Sequence, residues 1–245
     1  MRLNADFSER VVIRPDDYTW VDSPMPGVER MMLDRIGDEV ARATSVVRYA
    51  PGSTFSSHVH TGGEEFLVLE GEFGDEHNSY PKGTYVRNPI GTSHTPRVGD
   101  DGCIIFVKLQ QFDAGDQAQF AIDTTTADFR PAATPGIEYL PLHEYDQERV
   151  ALIRWAPDIR VERHEHEKGE EILDSKQISH RSQRMGQAEV IPLPARKGKY
   201  SLLKNWHRNA ASSRDLEGRG EPDSRAITRG ADGGDSRAGN RHASS

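Results

Sequence analysis

The sequence predicts an all-β protein, and three observations carry that prediction. Between Arg30 and Phe112 the apolar residues fall in short runs: A-T-S-V-V-R-Y-A before P-G-S, E-F-L-V-L-E before G-E-F-G-D, then G-T-Y-V-R-N-P and G-C-I-I-F-V-K-L. Runs of this length, punctuated by Gly and Pro, are the pattern of an antiparallel sandwich or barrel. No long segment of 3.6-residue periodicity competes with them. Part of the pattern also occurs twice. R-Y-A-P-G-S-T-F-S-S-H-V-H-T-G-G-E-E-F-L, from Arg48, is echoed by R-W-A-P-D-I-R-V-E-R-H-E-H-E-K-G-E-E-I-L, from Arg154. His58, His60 and Glu64 map onto His164, His166 and Glu170 at a constant separation of 106 residues.

Taken in order along the chain, the elements divide into four stretches. Residues 20–118 carry the complete set of strands expected for a barrel. Residues 119–136, rich in Asp, Thr, Ala and Pro, read as a linker with a short strand at Phe120 to Ile122. Residues 137–173 repeat the first half of the barrel, and the echo stops after Leu173. Residues 174–245 end in a Gly, Ser, Arg and Asp tract with almost no large apolar residues, the composition of a disordered tail. The low hydrophobic content of the whole chain, 35%, and its mean hydropathy of -0.72 fit a chain that is folded only in part.

Composition narrows the function. A net charge of -8 and a pI near 5.7 speak against nucleic-acid binding, which needs clustered Lys and Arg to displace counterions from phosphates. The one cysteine, Cys103, excludes an intrachain disulfide and any Cys-rich zinc motif, so a cytoplasmic protein is expected. The N-terminal M-R-L-N-A-D-F-S-E-R has no apolar core, and no stretch approaches the roughly 18 apolar residues of a membrane helix. Neither secretion nor a membrane partner is expected.

The residues with metal-binding chemistry lie in the first repeat. In H-V-H, His58 and His60 are two apart on a strand, so both imidazoles face one way while Val59 faces the other. The flexible T-G-G turn returns Glu64 toward them, and His94 arrives from a distant hairpin after N-P-I-G-T-S. Three nitrogens and one carboxylate form a borderline-hard set suited to one divalent transition metal: Zn or Fe(II) first, Mn or Ni next, with room for water or a small molecule. Glu65 alternates away from Glu64 and is excluded. His77 reads as a turn residue and Cys103 as a buried strand residue. Tyr85 and Arg87 share one strand, and Arg87 is as readily a structural ion pair as a substrate contact.

These residues resemble a known superfamily. Gly52, His58-Val59-His60, Glu64 and Gly71 match the first cupin motif in spacing, and Gly83, Pro89-Ile90-Gly91 and His94 match the second. The motif's Asn four positions after the last histidine is Val98 here. Within the cupins, H-x-H-x-G-G-E-E-F-x-V-L-E-G, Y-P-x-G-T-Y-x-R-N-P and S-H-T-P are similar to the ChrR-like cupin family, from about Trp20 to Phe112 and again from Ile137. The resemblance implies a jelly-roll β-barrel followed by a partial second cupin. His164, His166 and Glu170 would form a degenerate second set of ligands, weak at best.

What the resemblance implies about activity is less specific, because fold is not function. The namesake is an anti-sigma factor whose sigma-binding part is a separate N-terminal helical zinc domain. Here the first cupin strand begins by Arg30 and no His and Cys cluster precedes it, so sigma-factor inhibition is not expected. Two classes remain. One is a metal-binding module with a small-molecule ligand, with a homodimer allowed. The other is an Fe(II)-dependent dioxygenase acting on diketones or hydroxyaryl ketones; no catalytic residue beyond the metal ligands can be named. The break after Leu173 has a candidate genetic origin. Codons for Ile191 to Arg196 permit a reading one base later of Phe-Arg-Phe-Pro-Pro-Gly, against Val86-Arg87-Asn88-Pro89-Ile90-Gly91, so a frameshift is expected there.

Overall fold

Residues 1–161 and 169–174, together with the backbone of residues 199–205, are described by a computed structural model. Apart from a 3-10 turn at Pro15–Asp17, the regular elements among these residues are strands. The first sheet takes β1 (Arg2–Leu3), β2 (Val21–Asp22), β3 (Val28–Gly37), β4 (Ala41–Tyr49), β6 (Glu64–Gly74), β7 (Ser79–Pro81), β8 (Thr84–Asn88), β10 (Arg97–Leu109) and β11 (Phe120–Asp123). Its main path runs β1-β3-β4-β10-β6-β8-β11, with β2 beside β3 and β7 beside β6. A second, two-stranded layer pairs β5 (His58–Val59) with β9 (Ser93–His94). Strands β1 and β11 carry the first sheet past both ends of the expected 20–118 barrel.

Alternation of side chains gives this sheet two buried faces. One face lines the barrel, with Phe66 and Val68 of β6, Val86 of β8 and Ile105 and Val107 of β10 packing with Val28, Val47, Phe73 and Tyr80. The opposite face holds their neighbours, Leu67, Leu69, Tyr85, Ile104 and Phe106, with Met31 and Val46. Near-continuous apolar runs such as E-F-L-V-L-E follow from this: a strand covered on both sides has no solvent face to keep polar.

The outer face is covered by the second repeat. Strands β12 (Arg130–Pro131), β13 (Ile137–Tyr145), β14 (Glu148–Trp155), β15 (Glu170–Asp174) and β16 (Lys199–Asn205) form a sheet ordered β12-β13-β14-β16-β15. Leu140, Leu142, Val150, Leu152 and Leu173 join the outer-face cluster of the first sheet. Each leucine so buried contributes about 1.5 to 3 kcal/mol. Ile137, Tyr139, Ala151 and Ile153 point to the other side, against Trp155 and Ile159. Lys108 of β10, 1% exposed, donates to Thr44 of the neighbouring β4 at 3.2 Å and pairs with Glu171 of the second repeat.

One expectation is corrected here. The strand-forming part of the chain was expected to end at Leu173, leaving the second sheet without a closing strand. Residues 199–205 instead pair with β14 on one side and β15 on the other. Two neighbouring strands with unpaired N–H and C=O groups are a template for a third. The rest of the expected disordered tail, residues 175–198 and 206–245, lies outside the described residues, as do His164 and His166.

Candidate metal centre

The two layers of the barrel meet at the predicted ligands. Register pairs His58 of β5 directly with His94 of β9, and His60 follows immediately, its N–H donating to the Thr92 carbonyl at 2.8 Å. Glu64 opens β6 on the facing sheet. Between them, Gly62 and Gly63 make the return. Gly63 has a φ of +78°, and a Cβ there would strike the Phe112 ring, so both conformation and space require glycine.

Donor atoms of His58, His60, Glu64 and His94 all lie within 4.8 Å of one another. Glu64 Oε1 is 3.4 Å from His60 Nε2 and 3.7 Å from His94 Nε2, and the Nε2 atoms of His58 and His94 are 3.2 Å apart. His60, Glu64 and His94 are buried, whereas His58 is exposed and Val59, turned to the other side, is 57% exposed. The alternation expected of H-V-H is therefore present.

The hydrogen bonds around the rings decide which nitrogens are free. Thr92 gives its single hydroxyl proton to the Pro89 carbonyl at 2.7 Å, so its oxygen can only accept from His60 Nδ1, 2.9 Å away. That fixes the proton on Nδ1 and leaves the Nε2 lone pair facing the centre. His58 Nδ1 lies 3.3 Å from the Ser56 carbonyl, an acceptor only, which fixes the same tautomer. Asp75 Oδ2 lies 3.4 Å from His94 Nδ1. Such outer partners orient imidazole ligands in metal sites.

Electrostatics point the same way. Burial and the neighbouring His94 and His58 pull His60 down to about 3, and burial likewise lowers His94, so both rings are neutral donors near pH 7. Burial raises Glu64 to about 7 against a hydrogen bond from Asn88. His60 Nε2 is buried with no hydrogen-bond partner. An unsatisfied buried acceptor costs about 1 to 3 kcal/mol. Converging lone pairs and a carboxylate that lacks a counter-charge are the donor set a cation satisfies, and the residues present fit a transition metal.

The other candidates fall elsewhere. Glu65, Tyr85 and Arg87 face the second repeat, not the metal donors: Tyr85 and Arg87 donate to Glu65 Oε2 at 2.5 and 2.8 Å. Arg87 is therefore a structural ion pair. His77 is exposed in its turn, and Cys103 is buried in the barrel core, its thiol pushed up to about 12 by burial. Val98 packs in the same core. Glu170 is exposed at the start of β15. Sequence reasoning missed Thr92, Asn88 and Asp75; of these only Asn88 left a signal, as the cross-strand partner of Glu64. It also missed a second group, Asp116, His143 and Glu148, whose donor atoms likewise lie within 4.8 Å. Arg87 pairs with both of its carboxylates, so that group is already satisfied by a protein cation.

With this geometry in hand, the comparison with known families is direct. The ChrR cupin-like domain matches residues 8–113 and 117–176, more than half of the chain. The chain belongs to that family. Its jelly-roll barrel is thus a cupin barrel, followed by a second cupin repeat. Among solved structures, this cupin is similar to a candidate dioxygenase from Nostoc punctiforme, at 17% identity and a TM-score of 0.44, covering 68% of this chain and 60% of that one. It is similar to a chain of the Rhodobacter sphaeroides complex of SigE with the anti-sigma ChrR, at 26% identity and a TM-score of 0.33, covering 39% of this chain and 50% of that one. A candidate glyoxylate-induced protein from Pseudomonas aeruginosa is 14% identical with a TM-score of 0.48, covering 79% of this chain and 86% of that one. The cupin thus spans less than two thirds of the length of the first two. No curated protein matches the sequence. Among the described residues no helix is long and apolar enough to cross a membrane.

Proposed function

We propose that this cupin binds one divalent transition metal through His58, His60, Glu64 and His94 and presents it to a small-molecule ligand. The observation that carries the reading is the buried, unpartnered Nε2 of His60, facing two further imidazoles and a carboxylate. The donor set suits Zn or Fe(II), with Mn and Ni also accommodated. Four protein donors on a six-coordinate ion leave positions for water or a ligand. Elemental analysis of purified protein tests the reading directly: about one metal per chain is expected. Protein that retains no metal after exposure to Zn(II), Fe(II), Mn(II) and Ni(II) overturns it.

A second reading, an Fe(II)-dependent dioxygenase acting on diketones or hydroxyaryl ketones, is favoured by the walls of the site. The Phe73 ring lies 5.9 Å from His94, with Tyr49 and Phe55 continuing the aromatic wall. Arg87 and Lys108, the buried cations on the strands that pass the site, both face the second repeat. These walls suit an uncharged, enolisable ketone better than a dianion. A bound Fe(II) would supply redox chemistry there, and the protein's part would be to orient the ligand against the rings and exclude water. Oxygen uptake by iron-loaded protein with a panel of diketones and hydroxyacetophenones separates the readings. Uptake supports the enzyme, and its absence in folded, iron-loaded protein leaves the binding module.

A further inference from the structure

The metal ligand Glu64 and the outer-face residue Glu65 are neighbours on β6, and register sets them opposite Asn88 and Arg87 of β8. Glu64 and Asn88 meet inside the barrel at 3.4 Å, and Glu65 and Arg87 meet on the other face at 2.8 Å. Arg87 has a fully buried side chain, and its contacts reach both repeats. One guanidinium nitrogen donates to Glu65 and, at 3.2 Å, to Glu148 of β14; the other donates to Asp116. Asp116 is in turn held by His143 of β13, with Nε2 2.8 Å from the same oxygen. The guanidinium plane also lies over the Phe112 ring, 3.9 Å from its centroid.

Phe112 connects this network to the metal ligands. Its N–H donates to the Gly62 carbonyl at 3.1 Å, Gln110 N–H donates to the Gly63 carbonyl at 3.0 Å, and its ring fills the space that a Cβ on Gly63 would need. The chain from second repeat to metal ligand is therefore continuous: Glu148 and His143-anchored Asp116, then Arg87, Phe112, Gly63 and Glu64. An arginine suits the junction because its rigid fork serves three carboxylates while its face stacks on a ring, which a lysine cannot do.

We propose that Arg87 is a positioning residue for the metal centre, and that the second repeat serves the first as a clamp that holds Arg87, and through Phe112 the T-G-G turn, in the geometry that aims Glu64 at the metal. The proposal rests on the metal-binding reading above. It gives the second repeat a function that needs no metal of its own.

The test measures Zn(II) affinity by chelator competition and the visible absorption spectrum of the Co(II)-loaded full chain. Arg87→Met is expected to weaken Zn(II) binding several-fold, short of the roughly 10- to 100-fold that follows loss of a group hydrogen-bonded to a ligand itself, and to alter the Co(II) bands. Glu148→Gln and Phe112→Ala should shift both readouts in the same direction. Phe112→Tyr, which keeps the stacked ring, should restore them to within about twofold. Leu152→Ala, at the same interface but apart from the arginine network, should lower stability with affinity and spectrum unchanged. Wild-type affinity and bands in Arg87→Met and Phe112→Ala overturn the clamp, as does equal weakening in Leu152→Ala, which would make the effect one of general destabilisation. Should Arg87→Met fail to fold, Glu148→Gln, at the more exposed end of the network, and Phe112→Ala decide. Wild-type protein that binds no metal removes the metal reading itself, a result distinct from normal binding in the variants.

Discussion

The two repeats share a strand order, and among the described residues the gathered imidazoles lie in the first. In the first, β3, β4, β10 and β6 lie side by side; in the second, β13, β14, β16 and β15 do the same. Among the described residues, a second layer accompanies the first sheet. Strands β5 and β9 bring His58 and His94 together across from Glu64, and among the described residues no such layer stands opposite β13 to β16. A sheet needs only period-two apolar residues and a free neighbouring edge, so its strand order can survive where a site cannot. A metal centre asks for more, because donors from two layers must converge within a few ångströms, as they do in the first repeat.

The largest effect expected from this contrast is on metal content. Replacing His58 and His60 together by Ala should abolish binding, whereas replacing His164 and His166 by Ala should leave about one metal per chain. Elemental analysis of the two double variants reads the difference directly, and metal loss in the second would show that the repeats are equal partners. At a metal concentration 100 times the dissociation constant, binding should also stabilise the wild-type fold by about 2.7 kcal/mol, seen as a rise in Tm that the first double variant lacks.

The next effect tests whether the second sheet is part of one cooperative fold. Leu152, 3% exposed, packs in the cluster shared with Leu67 and Phe106 of the first barrel. Leu152→Ala should cost about 2 to 5 kcal/mol in chemical denaturation, in a single transition. Two separate transitions, with the first repeat unaffected, would show that the sheets fold independently.

The donor residues were legible in the sequence because their chemistry is local: H-V-H has the spacing of one strand face, and Glu64 and His94 stand at motif spacing from it. The barrel was legible from strand length and turn residues. Less could be read about the outer face. Alternation shows that Arg87 and Glu65 share a side, but not that the side is buried, because its cover comes from β13 and β14 more than fifty residues later. The same blindness applies to Asp75 and Thr92, whose contacts with His94 and His60 depend on how two loops fold back. Strand β16 was missed since seven residues with a short apolar centre make a strand only when two edges are already waiting for them.

A smaller effect should follow from the turn before Glu64. Gly63→Ala would place a Cβ at φ +78° and against Phe112, costing about 1 to 3 kcal/mol. Because the strain falls beside a ligand, Zn(II) affinity should drop along with Tm. A variant that loses stability yet binds Zn(II) as tightly as the wild type would separate the turn from the site.

The smallest effect concerns the contact between the repeats and has a defined pH dependence. Burial pushes the Asp116 carboxyl up, but the hydrogen bond with His143 and the charge of Arg87 outweigh it and hold the group below the usual carboxylate range. A carboxyl depressed in the folded state contributes stability that is fully present above its unfolded value, near 3.9, and is lost as pH falls through the lower folded value. Asp116→Asn removes the charge and keeps the shape, so it should cost about 1 kcal/mol at pH 7. That gap should be unchanged at pH 5 and narrow below about pH 4, where the wild-type carboxylate begins to protonate and comes to resemble the amide. Urea denaturation of both proteins at pH 7, 5 and 3 checks the sign. A gap that stays constant to pH 3 would show that the negative charge of Asp116 contributes nothing to holding the second repeat against the first.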